Sequence, residues 1–333
     1  GANIGDPDID PQNPTTSSPG AGWDGGLLDP YEGTVPPETG TCPGDRLPGK
    51  ACPLPPQLDE VERWSNLADR PADAMTMTIG ANNASFSDIV ADCIVQIDCH
   101  THQPLTGKSA VQKFQDGMAA LPPAYERLDR RVDQLAAGGK ITPGNIFITE
   151  YFDPAYTDSG ALCPGVTDGI TTQEWGWASN TVVVGLNGKV AEAAADAAKN
   201  AAGQADGTPA WNFVGGIRDA FKSPGHGYCS NERWTLTLAE SFAMQRNKYG
   251  AFHPNAEGHL YGYANKLEDA LAPKLNVGGD KQCFQIDPVA GKAAAAVGAF
   301  TGALDAANLS TPFMKATPFG SKDTIGARVT EFW

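Results

Sequence analysis

The chain of 333 residues carries 24 basic and 39 acidic side chains, a formal charge of −15. With no basic stripe to displace counterions, that balance excludes a nucleic-acid backbone as partner, and no run reaches the roughly 18 apolar residues of a membrane-spanning helix. The length is enough for a sizeable core, as one large α/β domain or one domain with an appendage, and the negative charge fits an extracellular protein kept apart by self-repulsion.

Residues 1–60 are mostly Pro, Gly, Asp, Ser and Thr, with a short apolar patch at Leu27-Leu28, and read as loop or linker. Regular structure is expected from Gln57, as a helix to about Leu67. A strand Ala74–Ile79 follows and runs into Gly80-Ala81-Asn82-Asn83, then a helix-like run from Phe86 to about Ala91. Residues 109–137 carry helical spacing with i, i+4 charge pairings, interrupted at Pro122-Pro123. Asn145–Tyr151 reads as a second buried strand, Thr181 to about Ala202 as an alanine-rich helix, and Trp211–Val214 as a third strand. A helix from Ala256 to about Ala272 comes last, with His253 just before it. Strands alternating with helices predict a parallel sheet with helices on both faces. Active residues of such sheets gather in loops at the carboxyl ends of the strands. Residues 276–333 lie beyond this pattern, with one alanine-rich helix candidate, so the expected division is a domain over 1–275 and an extension over 276–333.

The cysteines stand at 42, 52, 93, 99, 163, 229 and 283. None forms a C-x-x-C pair, which argues against structural zinc and thioredoxin-type chemistry. Their spacing predicts disulfides Cys42–Cys52, Cys93–Cys99 and Cys163–Cys229, with Cys283 left over. The absence of a signal peptide then fits a mature or trimmed secreted chain.

Two segments carry chemistry. In His253-Pro254-Asn255-Ala256-Glu257-Gly258-His259, proline fixes the backbone after a histidine and Asn255 is placed to cap the next helix. A general base held at a sheet edge is one reading, and a helix-capping turn with an exposed histidine is the other. In Gly80-Ala81-Asn82-Asn83, glycine permits a sharp turn that presents an amide donor, or the pair is simply a turn. Other patterns are weaker. Gly20-Ala21-Gly22-Trp23-Asp24-Gly25 fits G-x-G-x-x-G without a flanking strand or helix. Asp6, Asp8 and Asp10 alternate like calcium ligands, but Pro11 stands where the loop needs glycine. Asp98, His100 and His102 read as a solvated loop rather than a metal site, and His259 as a packing or capping residue. There is neither H-E-x-x-H nor G-x-S-x-G.

Taken together, the segments resemble the SGNH (GDSL-type) esterase and lipase family in its secreted bacterial branch. Gly80-Ala81-Asn82-Asn83 is similar to the Gly-x-Asn-Asp block, with Asn83 replacing the aspartate, and His253-Pro254-Asn255 with Gly258-His259 to the histidine block. Gly26-Leu27-Leu28-Asp29-Pro30-Tyr31-Glu32-Gly33, Glu150-Tyr151-x-Asp153-Pro154 and Gly225-His226-Gly227-Tyr228-Cys229 match further stretches. The likeness spans roughly residues 20–273 and implies a three-layer α/β sheet. It implies hydrolysis of small-molecule, lipid or polysaccharide esters without a cofactor. His253 would be the base, and Asn82 with the Gly20 backbone N–H would be oxyanion donors. Two departures follow. Gly250 stands where the family places the aspartate of Asp-x-x-His, which leaves a backbone carbonyl or another acid to orient His253. No Gly-Asp-Ser exists, Gly5-Asp6-Pro7 being the nearest string, so the first βα unit is expected to be missing. The serine would then come from a separate N-terminal fragment, or the chain would be a non-catalytic SGNH-like binding protein.

Overall fold

The computed structural model describes residues 4, 31–34, 51–54, 56–202, 209–245, 248, 250–275 and 331–332. The chain divides into two compact units. The first comprises Gly1–Tyr31, Pro55–Leu275 and Val329–Trp333, and the second Glu32–Leu54 with Asn276–Arg328. Strands β1 (Tyr31–Thr34) and β2 (Ala51–Leu54) pair as a two-stranded sheet. The remaining described elements belong to the first unit.

These elements are, in order, α1 (Gln57–Ala68), β3 (Met75–Met77), α2 (Phe86–Val95), α3 (Ala110–Ala137), β4 (Ile146–Thr149), β5 (Val166–Thr167) and β6 (Ile170–Thr171). They continue with α4 (Thr172–Trp177), α5 (Val184–Ala202), β7 (Trp211–Val214), α6 (Ile217–Lys222), α7 (Leu238–Gln245), α8 (Asn265–Leu275) and β8 (Glu331–Phe332). The fold is mixed α/β, with a small parallel sheet in the order β7-β4-β3-β8. β5 and β6 form a separate antiparallel hairpin.

Every residue of β3 and β4 is buried, as expected of strands covered on both faces. Alternate side chains serve opposite faces. Met75, Met77, Ile146, Ile148 and Trp211 pack with Leu58 and Val61 of α1, Leu121 and Leu128 of α3, and Leu186 and Val190 of α5. Ala74, Phe147 and Val214 meet Leu267 and Leu271 of α8 on the other side. Truncating a fully buried leucine such as Leu128 typically costs about 2–5 kcal/mol.

Two expectations are corrected. Pro122 and Pro123 do not interrupt α3, which runs through them. Both prolines are exposed, so water can meet the carbonyls they leave without a donor. The alanine-rich helix starts well before Thr181: a capping box formed by Thr171 and Glu174 opens α4, which passes through a π-helical stretch, Ala178–Val183, into α5. A second π-helical stretch, Gly258–Ala264, precedes α8. At the other edge of β3, Glu331–Phe332 pairs in parallel, Thr76 with Glu331 and Met77 with Phe332.

Disulfides Cys93–Cys99 and Cys163–Cys229 are present, as the spacing predicts. Both are compatible with an extracellular or periplasmic location. Cys52 lies in β2, whereas Cys42 and Cys283 are outside the described residues. Among the described residues no helix is long and apolar enough to cross a membrane. The one grouping of metal-ligating residue types among them is Cys93, Cys99 and Glu174. It is a disulfide beside a carboxylate that already accepts the Cys99 and Thr171 N–H groups at 2.7 and 2.6 Å, and so offers no ligand set. Asp98, His100 and His102 form no such cluster among the described residues, and the His100 ring instead stacks near Trp177.

Candidate active site

The turn after β3 is shaped by two tyrosines. Gly80 has φ +123°, and a side chain there would overlap the Tyr125 hydroxyl, so only glycine fits. Tyr125 donates to the Ile79 carbonyl at 2.7 Å, and the Tyr151 hydroxyl accepts the Ala81 N–H at 3.0 Å. Behind the turn, Gly117 of α3 lets helix and loop touch directly: a Cβ would lie 2.6 Å from Ala84 Cα and 2.7 Å from the Asn83 carbonyl. The Asn82 side-chain oxygen accepts from Ser87 Oγ at 3.4 Å, which assigns the opposite side of that amide as its donor group. Asn83 Oδ1 accepts the N–H of fully buried Ile4 at 2.9 Å.

Tyr151 belongs to the Glu150–Pro154 segment at the carboxyl end of β4. Its backbone is clamped from both sides by Asn187, which accepts the Tyr151 N–H at 2.7 Å and donates to its carbonyl at 2.8 Å. Asp153, fully buried, accepts from Ser179 Oγ at 2.6 Å, Arg218 Nε at 3.1 Å and the Ala155 N–H at 3.2 Å. Tyr156 in turn lies 2.8 Å from Ser179 Oγ. Glu150 accepts the Arg218 N–H at 2.9 Å, and burial raises its pKa above the ordinary carboxylate value. This network joins the loop after β4 to α6 and to the first π-helical stretch.

The same loop reaches the histidine. The Pro154 carbonyl accepts the Tyr228 N–H at 2.7 Å, and the Tyr228 ring stacks on Phe252, with centroids 4.6 Å apart and planes 11° from parallel. Trp175 packs against both rings. Tyr228 also donates to Asp168 at 2.5 Å and accepts the Leu238 N–H at 2.7 Å. Gly80–Asn83, Glu150–Pro154, Gly225–Cys229 and the His253 turn are therefore linked in a chain of contacts that starts from the loops after β3 and β4.

Phe252 takes φ +63°, and Pro254 bridges to Thr235, which holds His253 at the apex of the turn. Its Nδ1 lies 3.1 Å from the Ala251 carbonyl. A carbonyl can only accept, so the hydrogen bond requires the proton on Nδ1 and leaves Nε2 as the basic nitrogen. The residue is exposed, yet the protein around the ring lowers its pKa below the ordinary histidine value, chiefly by desolvation. Gly250 supplies no acid, but its N–H is held by Ser241 Oγ at 2.9 Å. Asn255 caps the helix as its position predicts, accepting the Gly258 N–H at 2.9 Å. Gly258 and Gly262 leave no room for a side chain against the Phe221 ring and the Trp234 carbonyl, which explains the second half of the motif.

A scan against protein-family models gives no match. A search of the curated proteins gives none either.

Gly20, the third expected site residue, lies outside the described residues. Among the described residues no serine, threonine or cysteine side chain bonds to the His253 ring. Sequence patterns did not identify Tyr125, Tyr151 or the Asp153–Ser179–Arg218 network as supports, because these contacts join distant segments.

His259 packs near Tyr263, and burial together with the neighbouring His253 lowers its pKa to about 4. Its folded pKa is below the unfolded value of about 6.5, so its contribution to stability is complete above that pH and is lost on descending towards 4. The melting temperature should therefore fall between pH 6.5 and 4, and a His259→Phe variant should lose less over that interval. Equal slopes for the two proteins would contradict this assignment.

Proposed function

We propose that this chain carries the base and an oxyanion donor of an SGNH-type serine esterase, on a three-layer α/β sheet, and that the complete enzyme is secreted. His253 Nε2 takes the proton of a serine hydroxyl as it attacks the acyl carbonyl, then returns it to the leaving alcohol. The tetrahedral oxyanion is held by the Asn82 amide and the Gly20 N–H, each such donor typically contributing about 3–4 kcal/mol. The Ala251 carbonyl orients the imidazole where Gly250 replaces an acid. The observation that carries this reading is the Nδ1 contact to Ala251, which fixes the tautomer a general base needs. The serine comes from residues outside those described or from a separate fragment.

A second reading, a non-catalytic SGNH-like binding protein, is favoured by the lack of a described hydroxyl or thiol on His253. Both are tested on the natural gene product. The esterase should take up a fluorophosphonate probe on one serine and hydrolyse an aryl acetate, and His253→Ala should abolish both. A natural product that does neither is the binding protein.

A further inference from the structure

We propose that Asp168, at the tip of the β5–β6 hairpin, is a positioning residue for His253 and acts on it through Tyr228. What the positioning is for rests on the esterase reading; the mechanical coupling does not.

The hairpin is a fixed support. Thr167 pairs with Ile170 across a two-residue turn in which Asp168 has φ +48° and Gly169 φ +90°. Two positive angles in succession suit an Asp-Gly turn, whose backbone matches the twist of the paired strands. The tip is fastened to the helix that follows Asn82. A Cβ at Gly169 would lie 2.2 Å from the Ile94 carbonyl oxygen of α2, so hairpin and helix meet backbone to backbone. The end of β6 is tied to the same helix, because Glu174 accepts both the Thr171 and the Cys99 N–H, and Cys99 is bonded to Cys93 of α2. α2 itself starts on the Asn82 turn, the Phe86 N–H donating to the Ala81 carbonyl at 3.0 Å.

From this support the Asp168 carboxylate holds the hydroxyl of buried Tyr228, which also accepts the Leu238 N–H. Two routes then lead to His253. The ring of Tyr228 stacks on Phe252, whose φ of +63° is unfavourable for a bulky residue and persists only where packing enforces it. The backbone route runs from Leu238 to Leu236, whose carbonyl accepts the Phe252 N–H and whose N–H donates to the His253 carbonyl, each at 2.9 Å.

Both routes converge on one torsion. The φ of Phe252 lies between the Ala251 carbonyl and His253, the two partners of the bond that fixes the imidazole. Relaxation of Phe252 to a negative φ would swing that carbonyl away from Nδ1. Asp168 therefore supplies, at a distance and without touching the ring, an orienting acid where Gly250 supplies none.

The test is nitrogen NMR of the 333-residue protein labelled in its five histidines, above the ordinary histidine pKa of about 6.5, where the neutral ring reports its tautomer. In the unaltered protein His253 should carry its proton on Nδ1. Asp168→Gly removes the carboxylate and keeps the positive φ free of strain. It should lower the Nδ1–H to Nε2–H ratio at His253 by about tenfold, the scale of one hydrogen bond. Tyr228→Phe keeps the ring and loses the hydroxyl, and should do the same; the two together should do no more than either alone. Asp168→Asn retains an acceptor oxygen in a residue that tolerates the turn, and should keep the original ratio. Asp168 is exposed, so its variants leave the core intact. A hairpin with a merely structural role would lower the melting temperature of Asp168→Gly and leave the ratio alone, which overturns the proposal. So does an Asp168→Asn protein as disturbed as Asp168→Gly. No substrate enters the measurement, so a chain that hydrolyses no ester can still show the coupling. A proton on Nε2 in the unaltered protein removes the base of the esterase reading and the coupling with it, whereas an unchanged ratio in Asp168→Gly removes the coupling alone.

Discussion

Asp153→Ala should destabilise the first unit by about 3–5 kcal/mol, the usual cost of removing one partner of a buried ion pair. The carboxylate is fully buried and is the shared acceptor for Arg218 Nε and Ser179 Oγ. Alanine would leave a largely buried guanidinium and a buried hydroxyl without that acceptor, and unmet groups cost more than the bonds contributed. Urea unfolding followed by tryptophan fluorescence should show a lower midpoint at unchanged slope. Asp153→Ala/Arg218→Met should recover part of the loss, because the stranded charge is gone. A single-variant loss below about 1 kcal/mol would mean the network is peripheral to stability.

The second large effect concerns catalysis. If the nucleophile strand is absent, the 333-residue chain alone should take up no fluorophosphonate and should hydrolyse an aryl acetate no faster than its His253→Ala variant. A base and oxyanion donors without a nucleophile keep at most the residual of about 10³–10⁴ over water known for disabled triads. Stoichiometric labelling lost in His253→Ala would show instead that this chain holds its own serine. Ser17 and Ser18, outside the described residues, would be the first positions to map.

The parallel strands and the cap before α8 were legible because both depend on local signals. β7 was read at its observed limits, and Asn255 as a cap, since apolar runs and capping residues act over a few positions. The interruption assigned to Pro122-Pro123 was misread because sequence does not reveal which face of α3 is wet. The π-helical stretches were invisible: one extra residue per turn leaves little mark on apolar spacing, and packing of Gly258 and Gly262 on Phe221 is a tertiary fact. For the proposed site, the turns that carry Asn82 and His253 were legible. The groups that position them were not, because Tyr151 reaches Ala81, and Tyr228 reaches Phe252, only through the fold.

Pairing Thr76 with Glu331 also sets a schedule for biosynthesis. A ribosome adding roughly 5–20 residues per second needs tens of seconds to travel from one partner to the other. Throughout that interval β3 can pair with β4 once it emerges, while its other edge lacks the Glu331–Phe332 partner. Neighbouring nascent chains on the same message present the same edge. Slowed translation of the last third should then raise aggregation, and a holdase acting on the growing chain should raise the yield of soluble protein.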